Sequence, residues 1–178
     1  MDRPGAALQR AGPARGLTLY FAYGSNLWTA RMQERVPTAR ALGPACLPGH
    51  RLVCSKPGRD GSGKANLEPT PEQAVWGVLY RIDAEGLSQL DRFEGGYERI
   101  ILEVVDMHGI LRRASTYRSS LRSAEPVLFD WYRQLMIDGA RLHGLPRSWL
   151  AFLETLPMRP DPARAANAPA SLPARRPR

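Results

Sequence analysis

The sequence predicts an α+β (mixed α/β) fold, a small mixed-strand barrel or sheet with helices packed outside. Two observations carry this expectation. About six strand-like and four helix-like segments follow one another in irregular order, and the regular βαβ alternation of a doubly wound sheet is missing. A third observation fits them: 43% of the 178 residues are hydrophobic, enough for one ordinary core.

Residues 1–16 are rich in Gly, Pro, Ala and Arg, without periodicity, and read as a flexible leader. Leu17–Tyr23 is an apolar, aromatic strand broken by Gly24-Ser25, after which Asn26 is a good N-cap for a helix over Leu27–Arg35. Ala41–Lys56 holds two short strands joined at Pro48-Gly49, Gly58–Lys64 reads as a mobile loop, and Ala74–Ile82 is a strand. Asp83 caps a short helix, Ala84–Phe93, that stops before Gly95-Gly96. Tyr97–Met107 and Ile110–Tyr117 form a hairpin turning at His108-Gly109. Leu128, Trp131, Tyr132 and Leu135 recur at helical spacing and mark a long amphipathic helix, capped near Ser123 and ended by Gly144-Leu145-Pro146. Trp149, Phe152 and Leu153 begin a shorter one. Residues 157–178 hold six prolines and six alanines and read as a disordered Pro/Ala/Arg-rich tail, which leaves 17–156 as the folded domain.

Charge and composition exclude several function classes. The net charge of +8 suggests nucleic acid or an anionic surface. The leader, however, carries three arginines against one aspartate, and the tail five against one, so most of the excess lies outside the folded segment. Basic residues are 23 arginines and only two lysines, Lys56 and Lys64, a compositional bias rather than a binding stripe. Nucleic acid is therefore disfavoured as a partner. No apolar run reaches the ~18 residues of a membrane span. The leader lacks the apolar stretch of a secretory signal, so a cytoplasmic location is expected. Cys46, Cys54, His50, His108 and His143 have no metal-ligand spacing, and no Walker or GxGxxG pattern occurs, so no cofactor is expected.

Three features carry possible chemistry. The strand–Gly-Ser–helix junction at Tyr23–Leu27 offers backbone N–H groups to a carboxylate or phosphate, although an ordinary capped turn has the same signature. Glu94, at the end of a short helix, sits near the negative end of its dipole between Phe93 and Tyr97. Both influences disfavour the anion and suit a carboxyl that takes and gives a proton. Asp91, Glu98 and Glu103 are rivals, and a solvated Glu94 is the plain alternative. Tyr20, Tyr23, Tyr97, Tyr117 and Tyr132 offer hydroxyls to a pocket, with core packing the simpler role for Tyr132. Neither cysteine has a partnered His, Ser25 has no triad, and Trp28, Trp76, Trp131 and Trp149 read as packing residues.

Taken together, an ordered series of motifs resembles the γ-glutamylcyclotransferases. The series is Tyr20-Phe21-Ala22-Tyr23-Gly24-Ser25-Asn26-Leu27, then Leu47-Pro48-Gly49-His50-Arg51-Leu52, Ala65-Asn66-Leu67-Glu68-Pro69 and Val75-Trp76-Gly77-Val78-Leu79-Tyr80. It continues through Leu90-Asp91, Glu94-Gly95, Tyr97, Tyr117, Tyr132, Gly139-Ala140 and Gly144-Leu145-Pro146. The Tyr-Gly-Ser-Asn form is similar to the branches acting on γ-glutamyl amino acids and on the γ-glutamyl group of the antibiotic butirosin, more than to the γ-glutamylamine branch. The resemblance implies a small barrel with a cavity at one end and the intramolecular aminolysis of a γ-glutamyl amide to 5-oxoproline and a free amine. It implies Glu94 as acid/base, Tyr23, Gly24, Ser25, Asn26 and Leu27 as the loop around the glutamyl α-carboxylate, and Tyr97, Tyr117 and Tyr132 as cavity walls. It requires no metal, nucleotide or covalent intermediate. The segment from Gly95 to Tyr97 is shorter than in some relatives, which leaves the departing amine open. Lys56–Lys64 and Arg118–Pro126 are the segments expected near it; Arg118 and Arg122 are candidate receptors for an anion such as an amino-acid carboxylate, with a solvated loop the simpler reading. Two other readings are a non-catalytic module of the same fold that binds a small acid, and a tail that attaches to nucleic acid or membrane through Arg175, Arg176 and Arg178. Oligomeric state has no signature in the sequence.

Overall fold

Strands β1 (Leu17–Ala22), β2 (Arg40–Pro57), β3 (Gly63–Asp83), β4 (Glu98–Asp106) and β5 (Leu111–Arg118) close into a barrel in the order β1-β3-β2-β4-β5. The structure, a computed structural model, describes residues 17–166, so the leader and the last twelve residues of the expected tail lie outside the described residues. β1 runs antiparallel to β3, pairing Leu17 with Asp83 and Ala22 with Val78, and the barrel closes through a parallel contact of Tyr20 with Ser115 on β5. Closure leaves few unpaired strand edges at this end of the sheet. Val78, Leu79 and Tyr80 are all buried, because the barrel interior takes one face and helices cover the other. Tyr80, for instance, meets the His143 ring edge-on and lies 3.2 Å from the Thr29 hydroxyl.

Among the described residues, five α-helices accompany the strands: α1 (Thr29–Arg35), α2 (Ala84–Phe93), α3 (Asp130–Leu142), α4 (Arg147–Thr155) and α5 (Pro162–Ala166). α2 has the expected bounds, and its cap is Asp83, whose Oδ1 accepts from the Gly86 N–H at 2.6 Å. α3 packs on the turn that follows β1 and brings Gly139 against Leu27. A Cβ on Gly139 would stand 2.3 Å from the Leu27 carbonyl carbon, so only glycine permits this approach. The contact fixes where α3 crosses the end of the barrel, and with it the position of Tyr132.

The elements depart from expectation in five places. β2 is one strand across Pro48-Gly49 rather than two. Gly49 adopts φ +69° at a register shift between Pro48 and His50, so the chain bends there while its pairing with β3 continues. β3 begins at Gly63, not Ala74, since the distal part of the β2–β3 hairpin pairs with itself. α3 starts at Asp130 and not near Ser123, because β6 (Leu128–Phe129) precedes it and pairs in parallel with β7 (Met158–Arg159). That pairing and α5 also carry regular structure past residue 156, where the tail was expected to begin. Finally, Asn26 does not cap a helix: residues 25–27 form one 3-10 turn, α1 begins at Thr29, and Trp28 occupies its cap position.

Candidate active site

A cavity of about 290 Å³ opens at the end of the barrel where β1 and β5 finish and β4 begins. Tyr20, Tyr23, Gly24, Ser25 and Asn26 line one side, Glu94, Gly95 and Tyr97 another, and Tyr117, Trp131 and Tyr132 complete the aromatic wall. The structure thus brings Glu94 and the turn after β1 into one space, although they lie almost 70 residues apart in sequence.

Glu94 is the C-cap of α2, with its side chain only 13% exposed. Its Oε1 accepts from Arg35 Nη1 at 3.0 Å and from Asn26 Nδ2 at 3.3 Å. Both bonds fall on one oxygen, and Oε2 has no hydrogen bond among the described residues. Burial raises the carboxyl above its ordinary 4.5, while Arg35, Asn26 and Lys56 pull it back down. The raised value was expected, but its agents differ. Phe93 lines the cavity but is itself 53% exposed and stacks under the Arg35 guanidinium at 5.2 Å, so it shares the shielding of the carboxyl with the other cavity walls.

Asn26 is a positioning group. It is 4% exposed, and Nδ2 also donates to the Tyr20 hydroxyl at 3.0 Å, which ties β1 to the Glu94 carboxylate. Three tyrosine hydroxyls are committed to protein acceptors: Tyr23 donates to the Tyr117 carbonyl, Tyr97 to the Ala65 carbonyl at 2.6 Å, and Tyr117 to Asp91 Oδ1 at 2.7 Å. They present ring faces to the cavity more than hydroxyls. The Tyr132 hydroxyl instead lies against the turn, 2.9 Å from where a Cβ on Gly24 would stand. Gly24→Ala is therefore expected to push Tyr132 off the turn and lower kcat/KM about 10- to 100-fold, since small misplacements of positioned groups cost that much. Steady-state kinetics beside a circular-dichroism spectrum check it.

Several expected residues lie elsewhere. Leu27 is fully buried against Gly139 and does not line the cavity. The helix-dipole receptor expected at the junction is also displaced, because α1 starts at Thr29 and the cavity meets only the 3-10 turn. Asp91 is held outside by Arg99 at 3.0 Å, and Glu98 and Glu103 are exposed. Arg122 is spent on the Ser119 and Leu121 carbonyls, and neither it nor Arg118 lines the cavity. Burial pushes the Cys54 thiol up to about 11, which leaves it protonated and inert. Among the described residues, no cluster of His, Cys, Asp and Glu has the makings of a metal site.

Sequence reasoning pointed to the segment Lys56–Lys64 but not to the charge it brings, and it missed Arg31 and Arg35 altogether. Arg31, Arg35, Lys56, Arg59 and Lys64 all line the cavity, against only two acids, Asp60 and Glu94. Arg31 donates to Ser25 Oγ at 3.0 Å, and Lys64 pairs with Asp60 at 2.7 Å while lying 5.0 Å over Trp131. Trp131 is thus a wall and not a core residue. Its indole N–H donates to Asp161 at 2.9 Å and Arg164 covers its other surroundings at 4.5 Å, so the segment after β7 braces the cavity. One compositional signal was available: both lysines of a chain with 23 arginines line this cavity.

Comparison with known proteins points to one family. The profile of the family described as "Gamma-glutamyl cyclotransferase, AIG2-like" matches residues 20–133. The chain is 31% identical over 147 residues to a Bos taurus protein named "Gamma-glutamylcyclotransferase", covering 78% of each. It is 30% identical over 155 residues to the Homo sapiens protein of the same name, covering 82% of this chain and 81% of that one. A solved structure described as "Gamma-glutamyl cyclotransferase" superimposes with a TM-score of 0.76 at 26% identity, over 80% of this chain and 89% of that one. With a turn of this form facing a buried glutamate across a barrel-end cavity, and these relatives along most of its length, the chain belongs to the γ-glutamyl cyclotransferase, AIG2-like family.

Proposed function

We propose that the protein converts a γ-glutamyl amide to 5-oxoproline and a free amine by intramolecular aminolysis. The observation that carries this reading is Glu94, a buried carboxyl of raised pKa whose Oε2 is free beside the cavity. The glutamyl α-carboxylate lies against residues 24–26, where Arg31 supplies positive charge through its bond to Ser25. Glu94 takes a proton from the α-ammonium. The neutral amine attacks the γ-carbonyl carbon, a C–N bond forms, and the carbonyl electron pair moves to oxygen. Collapse of this intermediate breaks the original amide C–N bond as Glu94 returns the proton to the departing nitrogen. Over the whole reaction the α-nitrogen loses two protons and the departing amine, leaving as ammonium, gains two, so one carboxyl relays them in succession.

The protein's main work is to hold the folded conformer. Well-oriented intramolecular reactions reach effective molarities of roughly 10⁵–10⁸ M, and the aromatic walls restrict the chain to that geometry. The test is incubation with a panel of γ-glutamyl amino acids, peptides and amines, with 5-oxoproline detected by mass spectrometry. Release from at least one member is expected, and release from none overturns the reading.

A further inference from the structure

We infer that Asp161 is a positioning residue for the glutamyl half of the substrate: it holds the Trp131 indole where Arg31 packs against it, and Arg31 in turn holds the turn at residues 24–26. The inference rests on the cyclotransferase reading and adds to it a residue from outside the barrel.

Asp161 lies between β7 and α5, in a segment whose composition reads as tail and which follows the residues 20–133 matched by the family profile. Its side chain is only 12% exposed, and both carboxylate oxygens are engaged. Oδ1 accepts from the Ala163 N–H at 2.9 Å and so caps α5. Oδ2 accepts from the Trp131 indole N–H at 2.9 Å, with Arg164 Nε 3.9 Å away. A hydrogen bond to a carboxylate belongs to the stronger class. The segment is itself anchored, since Phe129 pairs with Arg159, and the Arg159 guanidinium donates to Glu125 at 2.9 Å and to the Gly61 carbonyl at 3.0 Å. Asp161 therefore reaches Trp131 from a fixed support.

Trp131 needs that support. It borders both the barrel-end cavity and a second, open hollow lined by Asp130, Gln134, Pro160, Asp161 and Arg164, so core packing alone does not fix its ring. The polar edge of the indole sets the orientation instead. Three cations then use the ring: Arg164 at 4.5 Å, Lys64 at 5.0 Å and Arg31 at 5.6 Å. Arg31 matters most here, because its Nε donates to Ser25 Oγ at 3.0 Å, on the turn that faces the α-carboxylate. The contacts run from Asp161 through Trp131 and Arg31 to Ser25. Glu94 has its own partners, Arg35 and Asn26, and stands outside that series. Freeing the indole thus weakens the grip on the glutamyl group and spares the proton relay.

Asp161→Ala is expected to raise KM about 5- to 30-fold, the range of a cation stacked on a desolvated indole, with kcat within about twofold of the wild type. The glutamyl group is common to every substrate, so γ-L-glutamyl-L-alanine and γ-L-glutamylethylamide should lose by the same factor. Trp131→Phe keeps an aromatic ring and the cap of α5 but has no indole N–H, and it is expected to raise KM over the same range. In the double variant, Asp161→Ala adds less than about twofold to Trp131→Phe, because the bond it removes is already gone. Circular dichroism and melting curves accompany each variant: a segment that only stiffened the fold would lower the melting temperature and leave KM alone. Unchanged KM in either single variant, a loss that falls on kcat, or a full second loss in the double variant overturns the inference and leaves the cyclotransferase reading standing. Failure of the wild type to release 5-oxoproline from any γ-glutamyl amide overturns both.

Discussion

Glu94→Gln is expected to lower kcat by at least ~10²-fold while the protein stays folded and still binds substrate, the low end of what an acid–base group contributes. Glutamine has the same shape, and its Oε1 still accepts from Arg35 and Asn26, so the cavity keeps its walls. What it lacks is the ability to take a proton from the α-ammonium. The measurements are the rate of 5-oxoproline release and substrate affinity by calorimetry. Normal turnover by the variant would remove Glu94 from the mechanism. Persistence of binding with loss of turnover separates a catalytic carboxyl from one that merely shapes a pocket.

Removing Arg35 is expected to have the second largest effect, and to show it in the pH profile. Burial raises the Glu94 carboxyl, and Arg35, 3.0 Å away, is the largest influence lowering it. Arg35→Met removes the largest lowering influence and leaves those of Asn26 and Lys56, so the carboxyl binds its proton more tightly and less of it is ionised at any given pH. The acidic limb of kcat/KM against pH should move upward by about one unit or more, the lower bound for loss of an adjacent opposite charge. Arg35→Lys, which retains the charge, should move it much less. Stability changes in a definite direction too. A carboxyl whose folded pKa exceeds its unfolded value favours the folded state at low pH, and that contribution disappears as pH rises through the folded value. Widening the gap makes Arg35→Met lose more stability than the wild type on going from about pH 5 to pH 8. Denaturant melts at the two pH values measure it, and an unshifted kinetic limb would show that Arg35 does not tune Glu94.

The sequence made the local devices legible and hid the long-range ones. Asp83 announces α2 because a carboxylate cap acts within three residues, and Glu94 is found because the same helix ends there. Pro48-Gly49 misleads because it has a turn's composition, yet Gly49 absorbs the bend inside a strand whose partner continues on both sides. Asn26 misleads for a similar reason: its amide suits an N-cap, but the strand before it carries the residue inward, where the Tyr20 hydroxyl and Glu94 take the hydrogen bonds instead. Arg35 carries no local sign of its task, since its partner is 59 residues away and the last turn of any helix favours a basic residue. Trp131, Tyr132 and Leu135 do lie on α3 while Leu128 belongs to β6, and helical spacing alone does not reveal that Trp131 borders a cavity, a place the resemblance gave only to Tyr132.

Among the described residues the β2–β3 hairpin pairs with β4 at Ala45 and Cys46 and with β1 from Val78 onward, so the strand pairing of its outer part is a ladder with itself. That arm carries Lys56, Arg59 and Lys64 to the cavity, while Glu94 comes from the end of α2 and the bend at residues 24–26 from the end of β1. Insertions, deletions or charge swaps in the arm are therefore expected to reshape the mouth of the cavity while the barrel stays closed. A lineage built this way alters its entrance by editing one ribbon, and an engineer has the same handle.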